Sequence, residues 1–488
     1  MAIVPSAQPL DMARLGARSR LAGLDRRSLG RAEVTAQSVS VMAPCAAGAT
    51  VPLLIAESGA TLVGSIVVAV FLAGLVSRVL TEFASRLAAP GALYTYAAKG
   101  LGPAAGFATA AAMILGYGAL AMFTLTESAT YLLRVVGVDR PPTAVLVAAI
   151  VTIGAGSSVV LLRGIRASAR VSLVVEVVAV TILVVVAVTV VVTVRGGVDL
   201  SVLAAAPTGP TDFATGVALA TCALIGFESA ASLSVEARAP LRSVPSAIRG
   251  SLVFGAVVVL VVAVAQDVAR GSGTSPGDGN LDVLVARVAD GWFAPVVDLG
   301  VVASFLACTL ACVTALARLL LSLSREGLLP GRVGSTHVRF KTPVAAITAA
   351  MTVIVAVPVT IAACGVGLRP MVGSLAAAPV IGFITSYVIV SVAAPFFLHR
   401  VGELRARAVL VAAGAALSFG FVGIVFVGAT VDSAWGMGAI GALVWFLAAA
   451  AIYVVLRLRR PRRLAGIGVH DTPTRADLWS GHTDRTAP

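Results

Sequence analysis

Long apolar runs separated by short polar segments fill most of this chain of 488 residues. A bilayer with a hydrocarbon core about 30 Å thick is crossed by about 20 residues of apolar helix. Runs of about this length are Val34–Ile55, Ala60–Ser85, Ala104–Leu133, Thr143–Leu162, Ala169–Val194, Phe213–Val235, Gly250–Gln266, Ala294–Leu323, Pro343–Ala363, Met371–Leu398, Ala408–Thr430 and Ala434–Leu456. The pattern predicts an all-α polytopic membrane protein with twelve transmembrane helices.

Two polar segments between these runs have helical character of their own. Leu87–Gly102 combines a Pro-Gly turn with two tyrosines and a lysine, which is typical of an interfacial helix. Asn280–Asp290 has helical periodicity with charges on one face, as a lid helix outside the membrane would have. A plain surface loop is the alternative for each segment.

The runs also divide the chain into parts. A basic N-terminal tail covers 1–33, a twelve-helix domain covers 34–457, and a polar C-terminal tail covers 458–488. Two consecutive sets of five helices cover 34–194 and 213–398, and two extra helices cover 408–456. We interpret the arginine-rich start as a tail before a retained first helix, not as a cleaved signal. The C-terminal tail begins in the basic run Arg457–Arg463 and is expected to be disordered.

Composition excludes a soluble fold. Apolar residues make up 58% of the chain and charged residues 12%, with a mean hydropathy of +0.99, whereas soluble domains are about a quarter charged. The net charge of +13 comes from short arginine clusters between the apolar runs. This distribution indicates a bias between loops and not a nucleic-acid partner.

The distribution of Lys and Arg orients the helices in the bilayer. With twelve spans, 30 of the 36 Lys and Arg lie on the side of the termini, and excess positive charge marks the cytoplasmic side. The other six are Arg134, Arg140, Arg195, Arg270, Arg287 and Arg369. We expect a multi-pass protein of a bacterial-type inner (plasma) membrane with both termini cytoplasmic.

Residues suited to enzymatic or metal chemistry are sparse. The five cysteines lie in apolar segments, and the four histidines lie in cytoplasmic loops, in the tail or at the inner end of a span. Cys308 and Cys312 are one helical turn apart, but two thiols without further ligands are more typical of packing than of a metal site. We therefore expect no enzyme, no metal site, no disulfide framework and no cofactor.

The first and sixth runs contain helix-breaking residues near their middle. Pro44 and Gly48 lie within VMAPCAAGAT, and Gly226 stands close to Glu228 within TCALIGFESA. Interrupted helices at membrane depth occur where the backbone is buried in protein or lines a cavity. The alternative is that Gly and Pro serve only packing or a kink.

These two breaks occupy corresponding positions in the two sets of five helices, which is typical of an inverted-repeat transporter. The first span runs outward, so its outer half presents free N–H groups around Ala46 to Ala49 that suit a carboxylate. The sixth span runs inward, so its outer half ends in free carbonyls around Cys222 to Ile225 that suit an ammonium group. The pattern favours a solute that carries both charges.

Three segments resemble a known family. Ile225–Ile248 (IGFESAASLSVEARAPLRSVPSAI) resembles the sixth helix and following loop of the amino acid/polyamine/organocation (APC) superfamily of permeases. Ser85–Phe107 resembles the loop and third-helix entry of that family, and Ala317–Pro330 resembles the end of its eighth helix. The resemblance implies a leucine-transporter-like 5+5 inverted repeat plus two C-terminal helices, with substrate held between unwound helices one and six.

The resemblance also implies the site residues. The carboxylate-binding turn maps to Pro44, Cys45, Ala46, Ala47 and Gly48, and the amine-binding turn to Cys222, Ala223, Leu224, Ile225, Gly226 and Phe227. The usual Gly-Ser-Gly turn of helix one is here replaced by Pro-Cys-Ala-Ala-Gly. Cys222 and Leu224 stand where many members carry aromatic residues that cover the substrate, which predicts a roomier or less selective pocket.

Carboxylates inside the spans are candidates for energy coupling, because an ionisable residue at mid-helix is costly. Glu228, Glu176 and Glu127 have such positions. Some proton-coupled members of the family carry a lysine on helix five, where this chain has Ala179. We hypothesise that Glu228 or Glu176 takes part in proton coupling. The alternative is that Glu228 only bridges helices, and sodium dependence is left open.

The sequence thus predicts a secondary active transporter, or permease, for a small amino acid or related amine. Its partners are this solute, the lipid bilayer and H+ as a coupling ion, with exchange as the other mode of transport. A polyamine or other organic cation is an alternative substrate, although few acidic residues besides Glu228 lie near the breaks. A channel would show broken helices and buried charges as well, and a solute sensor that does not transport is a further, weaker interpretation.

Overall fold

The chain forms a bundle of helices in the computed structural model, which describes residues 23–57, 60–163, 165–193, 209–271, 294–337 and 340–470. Within these ranges the only extended pairing is an isolated bridge between Leu29 and Ala237. The predicted lid helix Asn280–Asp290 lies outside the described residues. The predicted interfacial segment does contain a short helix, which occupies its second half.

The α-helices are numbered in chain order. They are α1 (Arg31–Met42), α2 (Pro44–Glu57), α3 (Leu62–Ala84), α4 (Leu93–Leu101), α5 (Pro103–Val135), α6 (Thr143–Leu162), α7 (Ile165–Thr193), α8 (Pro210–Cys222), α9 (Pro240–Gly271), α10 (Ala294–Arg325), α11 (Val344–Ala363), α12 (Leu368–Arg400), α13 (Ala406–Val431), α14 (Gly436–Arg459) and α15 (Pro461–Ala465). Two 3-10 helices cover Phe227–Leu233 and Gly331–Gly334.

Eleven helical stretches in the described part of the chain are long and apolar enough to cross a membrane. The predicted fifth span lies on α7, whose described apolar stretch, Glu176–Val192, is shorter. The chain is therefore a multi-pass membrane protein, and the count of twelve spans and the inverted repeat stay predictions. The largest boundary difference is at α9, which begins at Pro240 and not at Gly250, because its first turns are polar and a hydropathy pattern omits them.

Burial separates the central spans from the peripheral ones. Buried positions make up 89% of the most apolar stretch of the first span and 94% of that of the sixth, but 11% of that of α14. The long helix α5 packs along α10 and α12. The two spans with predicted breaks are therefore enclosed by the other helices, where an interrupted backbone is shielded from lipid.

The first and last described segments lie at the same end of the bundle. Leu24 packs with Val235 and Leu321, and Val469 lies against this small cluster. An even number of spans requires such an arrangement. The predicted disorder from Arg457 does not hold for the described part of the tail, 457–470, which continues helix α14 to Arg459 and adds α15, because its apolar residues find partners at this end of the bundle. The rest of the tail, 471–488, lies outside the described residues.

Glu326 fixes the C-terminal segment to the end of α10. Its Oε1 accepts hydrogen bonds from the backbone N–H groups of Gly468 (3.0 Å) and Val469 (2.7 Å). Burial raises the pKa of the Glu326 carboxyl to about 7, although the two N–H donors lower it. The docked segment therefore holds a proton at pH values where a carboxyl of ordinary pKa has lost it.

Docking of this segment is expected to weaken as the pH rises from about 5 to about 7, because the docked form binds more protons in that range. Because one proton is involved, the equilibrium constant for docking can change by at most about tenfold per pH unit. Hydrogen exchange at the amides of Gly468 and Val469, expressed as protection factors, measures the effect. Glu326→Gln keeps an acceptor oxygen and does not titrate, so its protection factors should be constant. The same pH dependence in both proteins would contradict the prediction.

Candidate functional site

The first span is interrupted at Ala43, between α1 and α2. Ala43 has φ 44° and ψ 59°, in the left-handed region. Proline disfavours the helical conformation in the residue before it and is well suited to the first position of a helix. Pro44 therefore ends α1 and begins α2 in the same place, so that the N-terminus of α2 lies inside the bundle.

The N-terminus of α2 is capped by side chains from two other helices. The backbone N–H of Cys45 donates to Glu176 Oε1 on α7 (3.1 Å), and that of Ala46 donates to Ser304 Oγ on α10 (3.1 Å). Ser304 in turn donates to the same Glu176 oxygen (2.9 Å). A carboxylate at a helix N-terminus has favourable interactions with its N–H groups and its dipole.

The sequence predicted free N–H groups around Ala46 to Ala49. The N–H groups that lack a backbone partner are instead those of Cys45 and Ala46, because the helix restarts at Pro44, and both are capped by side chains. The N–H of Ala47 donates to the Ala43 carbonyl (2.8 Å), and Gly48 lies close to Leu183. The second oxygen of Glu176, Oε2, is buried and has no hydrogen-bond partner among the described residues.

The sixth span is interrupted after Cys222, where α8 ends. A 3-10 helix begins at Phe227 after Gly226, which has φ 111°. A Cβ at Gly226 would overlap Val41 of α1. Glycine is therefore required here both for the backbone conformation and for the close approach of the two broken spans.

Between α8 and the 3-10 helix, residues 223–226 form a turn. Among the described residues, no hydrogen bond of ordinary length and angle to the carbonyl oxygens of residues 222–225 is found. Ala223, Leu224 and Ile225 are buried, and buried backbone carbonyls normally find a partner. The geometry thus leaves acceptors for a donor that the described residues do not supply.

Glu228 joins the sixth span to two other helices. Its carboxylate accepts hydrogen bonds from Tyr117 on α5 (3.0 Å), from Tyr387 on α12 (2.8 Å) and from the Gly226 N–H (3.1 Å). The side chain is fully buried. Both of its oxygens accept hydrogen bonds, whereas Glu176 Oε2 has no partner among the described residues.

Direct contacts hold the two broken spans together. Ser38 of α1 donates to the Phe227 carbonyl (2.8 Å) and accepts from the Ala230 N–H (2.9 Å). Cys308 of α10 donates to the carbonyl of Val41 (3.0 Å), which α1 leaves free just before its break. The breaks thus form one local unit.

The electrostatics of this unit is dominated by two carboxylates. Within the described ranges neither Glu176 nor Glu228 forms an ion pair, and the same ranges contain no cluster of three metal-ligating side chains. Glu127, the third candidate, lies elsewhere, in the part of α5 that carries Arg134. The arrangement is suited to binding a dipolar or cationic solute.

Several residues of this unit were not found by sequence reasoning. Tyr117 and Tyr387 carried a usable signal, because a phenol inside an apolar span needs a hydrogen-bond partner. Ser38, Ser304 and Cys308 carried none, since small polar residues are common in membrane helices and usually bond within their own helix.

Two comparisons with known proteins both find similarity to amino acid permeases. The sequence family described as amino acid permease matches residues 29–470 of the chain. A branched-chain amino acid permease of Bacillus subtilis (strain 168) is 28% identical over 127 residues, which are 26% of this chain and 27% of the relative. The chain thus matches about a quarter of the length of that curated relative.

Proposed function

The chain belongs to the amino acid permease family, and on this premise we propose that it is a secondary active transporter for a small amino acid or related amine. Membership confirms the resemblance to the APC superfamily and makes the chain a transporter and not an enzyme. The transporter works by alternating access in the inner membrane, with both termini cytoplasmic and its substrate held at the broken first and sixth spans.

The observation that carries the proposal is the pair of opposed backbone termini at the two breaks. The unpaired carbonyls of residues 222–225 offer acceptors to a substrate ammonium group. The N–H groups of Cys45 and Ala46 are bonded only by side chains, which a substrate carboxylate can replace. Two charges of opposite sign on one small solute match both ends.

Glu176 is the better candidate for proton coupling. It accepts the hydrogen bond of the Cys45 N–H, one of the two N–H groups that a substrate carboxylate needs, and two carboxylates in one site repel each other. A proton bound to Glu176 Oε2, the oxygen without a partner in the described ranges, removes that repulsion as the substrate enters. Substrate and proton are then bound together, as symport requires.

Glu228 has a different role in this proposal. Three donors hold its carboxylate and connect the sixth span to α5 and α12. These contacts favour the bridging role over the coupling role, because protonation would disrupt the contacts on either side of the break. We infer that Glu228 keeps the unwound segment in place while substrate binds beside it.

The substrate class follows from the same geometry. A polyamine or another organic cation would use the carbonyl end alone and leave Glu176 in place on α2. The relative from Bacillus subtilis is a branched-chain amino acid permease, and the two breaks of this chain contain buried apolar residues such as Ala46, Ala223 and Ile225. A neutral apolar amino acid is therefore the substrate that we propose first.

A matched ligand series tests the two ends of the site. We expect leucine, at about a hundredfold excess over its Kd, to raise the melting temperature of the purified protein by about 3 °C. Isopentylamine lacks the carboxylate and 4-methylpentanoate lacks the ammonium, so each should stabilise less. An equal shift with the amine would favour the organic-cation alternative.

Transport itself is tested by counterflow in proteoliposomes. If the protein is a carrier, proteoliposomes preloaded with unlabelled leucine should transiently accumulate labelled leucine from outside, because influx and efflux share one binding site. A channel would equilibrate the label without overshoot, and a sensor would not admit it. Either result would overturn the proposed function.

A further inference from the structure

We propose that the chain binds a hydrocarbon chain of a bilayer lipid in a slot between α5, α11, α12 and α14. The slot is a cavity of about 700 Å³ whose lining is almost entirely apolar. No residue of the two broken spans lines it. Leu316 and Leu320 of α10 form its back wall.

The slot has the length of an acyl chain. Its lining runs along α11 from Ala349 to Ile361, which is about 18 Å at 1.5 Å per residue. One leaflet of the hydrocarbon core is about 15 Å thick. The slot therefore follows the membrane normal over about the depth that one lipid chain occupies.

The slot opens sideways toward the bilayer. Val353 and Met437 line it and are 53% and 45% exposed. The hydrocarbon chains of lipids surround this face of a membrane protein, so a lipid chain is the occupant that the slot meets directly.

The walls of the slot are held open by specific contacts. Trp445 lines it and donates from its indole N–H to the Ala111 carbonyl of α5 (2.8 Å). Gly118 and Gly441 face open space, because a Cβ at either would meet nothing within 4 Å. Gly438 allows α14 to approach the Ser374 carbonyl closely. Packing and not hydrophobic transfer drives association inside a bilayer, and this slot offers packing on several sides.

One polar group marks the end of the slot where a lipid head would lie. Ser374 Oγ lines the slot, is buried and has no hydrogen-bond partner among the described residues. Ser374 is about 9 Å from the start of α12. It follows Gly373, which lies against Trp435 in the short segment between α13 and α14, so Ser374 is near the end of the bundle where these helices turn. Its hydroxyl can donate to an ester carbonyl of a lipid.

Quenching of Trp445 by brominated lipid tests the proposal. The chain contains four tryptophans, so Trp292→Phe, Trp435→Phe and Trp479→Phe leave Trp445 as the sole emitter. The protein is reconstituted in vesicles of phosphatidylethanolamine and phosphatidylglycerol with a rising fraction of chains that carry bromine at mid-chain. We expect quenching that rises steeply at a low brominated fraction, as a retained chain requires.

Filling the slot supplies the matched comparison. Gly441→Leu places a side chain in the slot, and Gly428→Leu places the same side chain on α13, at a position that is also open but outside the slot. We expect Gly441→Leu to lower the quenching of Trp445 about twofold, because the leucine replaces the chain at one face of the indole, and Gly428→Leu to leave it unchanged. Both variants should elute from a size-exclusion column at the volume of the parent protein and should show the same counterflow of leucine.

Three results would overturn the proposal. Quenching that follows the brominated fraction linearly and equally in all proteins would mean ordinary boundary lipid. A dimer whose cross-links pass through the slot would mean a protein occupant. Unchanged quenching in Gly441→Leu, with the variant folded, would mean that the slot is empty.

Discussion

Replacing Glu176 with glutamine is expected to abolish accumulation of substrate driven by a pH gradient while leaving counterflow within about threefold of the parent protein. Glutamine keeps an acceptor oxygen for the Cys45 N–H and the Ser304 hydroxyl, so the cap on α2 is preserved. It binds no proton, so movement of substrate is no longer tied to that of H+. In the parent protein, coupling of one proton per substrate allows about tenfold accumulation per unit of pH gradient. The variant should reach equal concentrations on both sides.

Two other buried glutamates serve as controls for this change. Glu127→Gln makes the same substitution away from the two breaks, so it should leave the response to the gradient intact. Glu228→Gln removes the charge from a carboxylate held by three donors, so it should slow counterflow while the response remains. Full accumulation in Glu176→Gln would exclude Glu176 from coupling. Loss of the response in Glu228→Gln alone would transfer the coupling role to that residue.

The positions of the two helix breaks were predictable from the sequence because they follow from local chemistry. Pro44 cannot continue α1 without a missing donor and a steric clash, and Gly226 is the residue that tolerates φ 111° just before the 3-10 helix that follows the break. Both signals lie within the segment that they interrupt. The same applies to the long apolar runs, since the bilayer makes the length of a span a local property.

The partners of the breaks were not predictable, because they come from distant segments. Glu176 and Cys45 are 131 residues apart, and Ser304 is 258 residues from Ala46. The sequence identified Glu176 as costly at its depth but gave no reason for it to meet α2. Only the packing of α7 and α10 around the first span places this carboxylate on the Cys45 N–H and Ser304 on the Ala46 N–H, at the helix end that was expected to be free for substrate.

The docked tail illustrates another limit. Arg457–Arg463 looks like the start of a solvated segment by charge alone, and the basic residues are indeed exposed. Order in the tail arises from Leu464 and from the N–H groups of Gly468 and Val469, which meet Glu326 and neighbouring helices. A few apolar residues with a prepared surface are enough to order a segment whose composition is polar.

Removing one partner of the buried pair Arg318 and Glu236 is expected to destabilise the protein by about 3–5 kcal/mol. Arg318 donates from Nε to Glu236 Oε2 (2.7 Å) and from Nη2 to Oε1 (2.8 Å), and the side chains are 3% and 2% exposed. The Glu236 carbonyl also accepts from the N–H groups of Ser28 and Leu29. The pair thus connects α10, the end of the sixth span and the N-terminal segment. Arg318→Ala leaves a carboxylate buried without its partner, which accounts for the size of the effect.

A double replacement distinguishes the cost of an unpaired charge from the value of the pair. Arg318→Met combined with Glu236→Leu removes both charges and keeps most of the buried volume, so we expect a melting temperature near that of the parent, several degrees above that of Arg318→Ala. Arg86→Ala is the matched control, because Arg86 bonds Glu403 in a pair that is 27% and 50% exposed, and such pairs contribute about 1 kcal/mol or less. Melting followed by size-exclusion chromatography measures all four proteins. If Arg318→Ala melts no lower than Arg86→Ala, the pair does not hold this end of the bundle together. A buried carboxylate without its partner would destabilise the protein more than the loss of an exposed ion pair does.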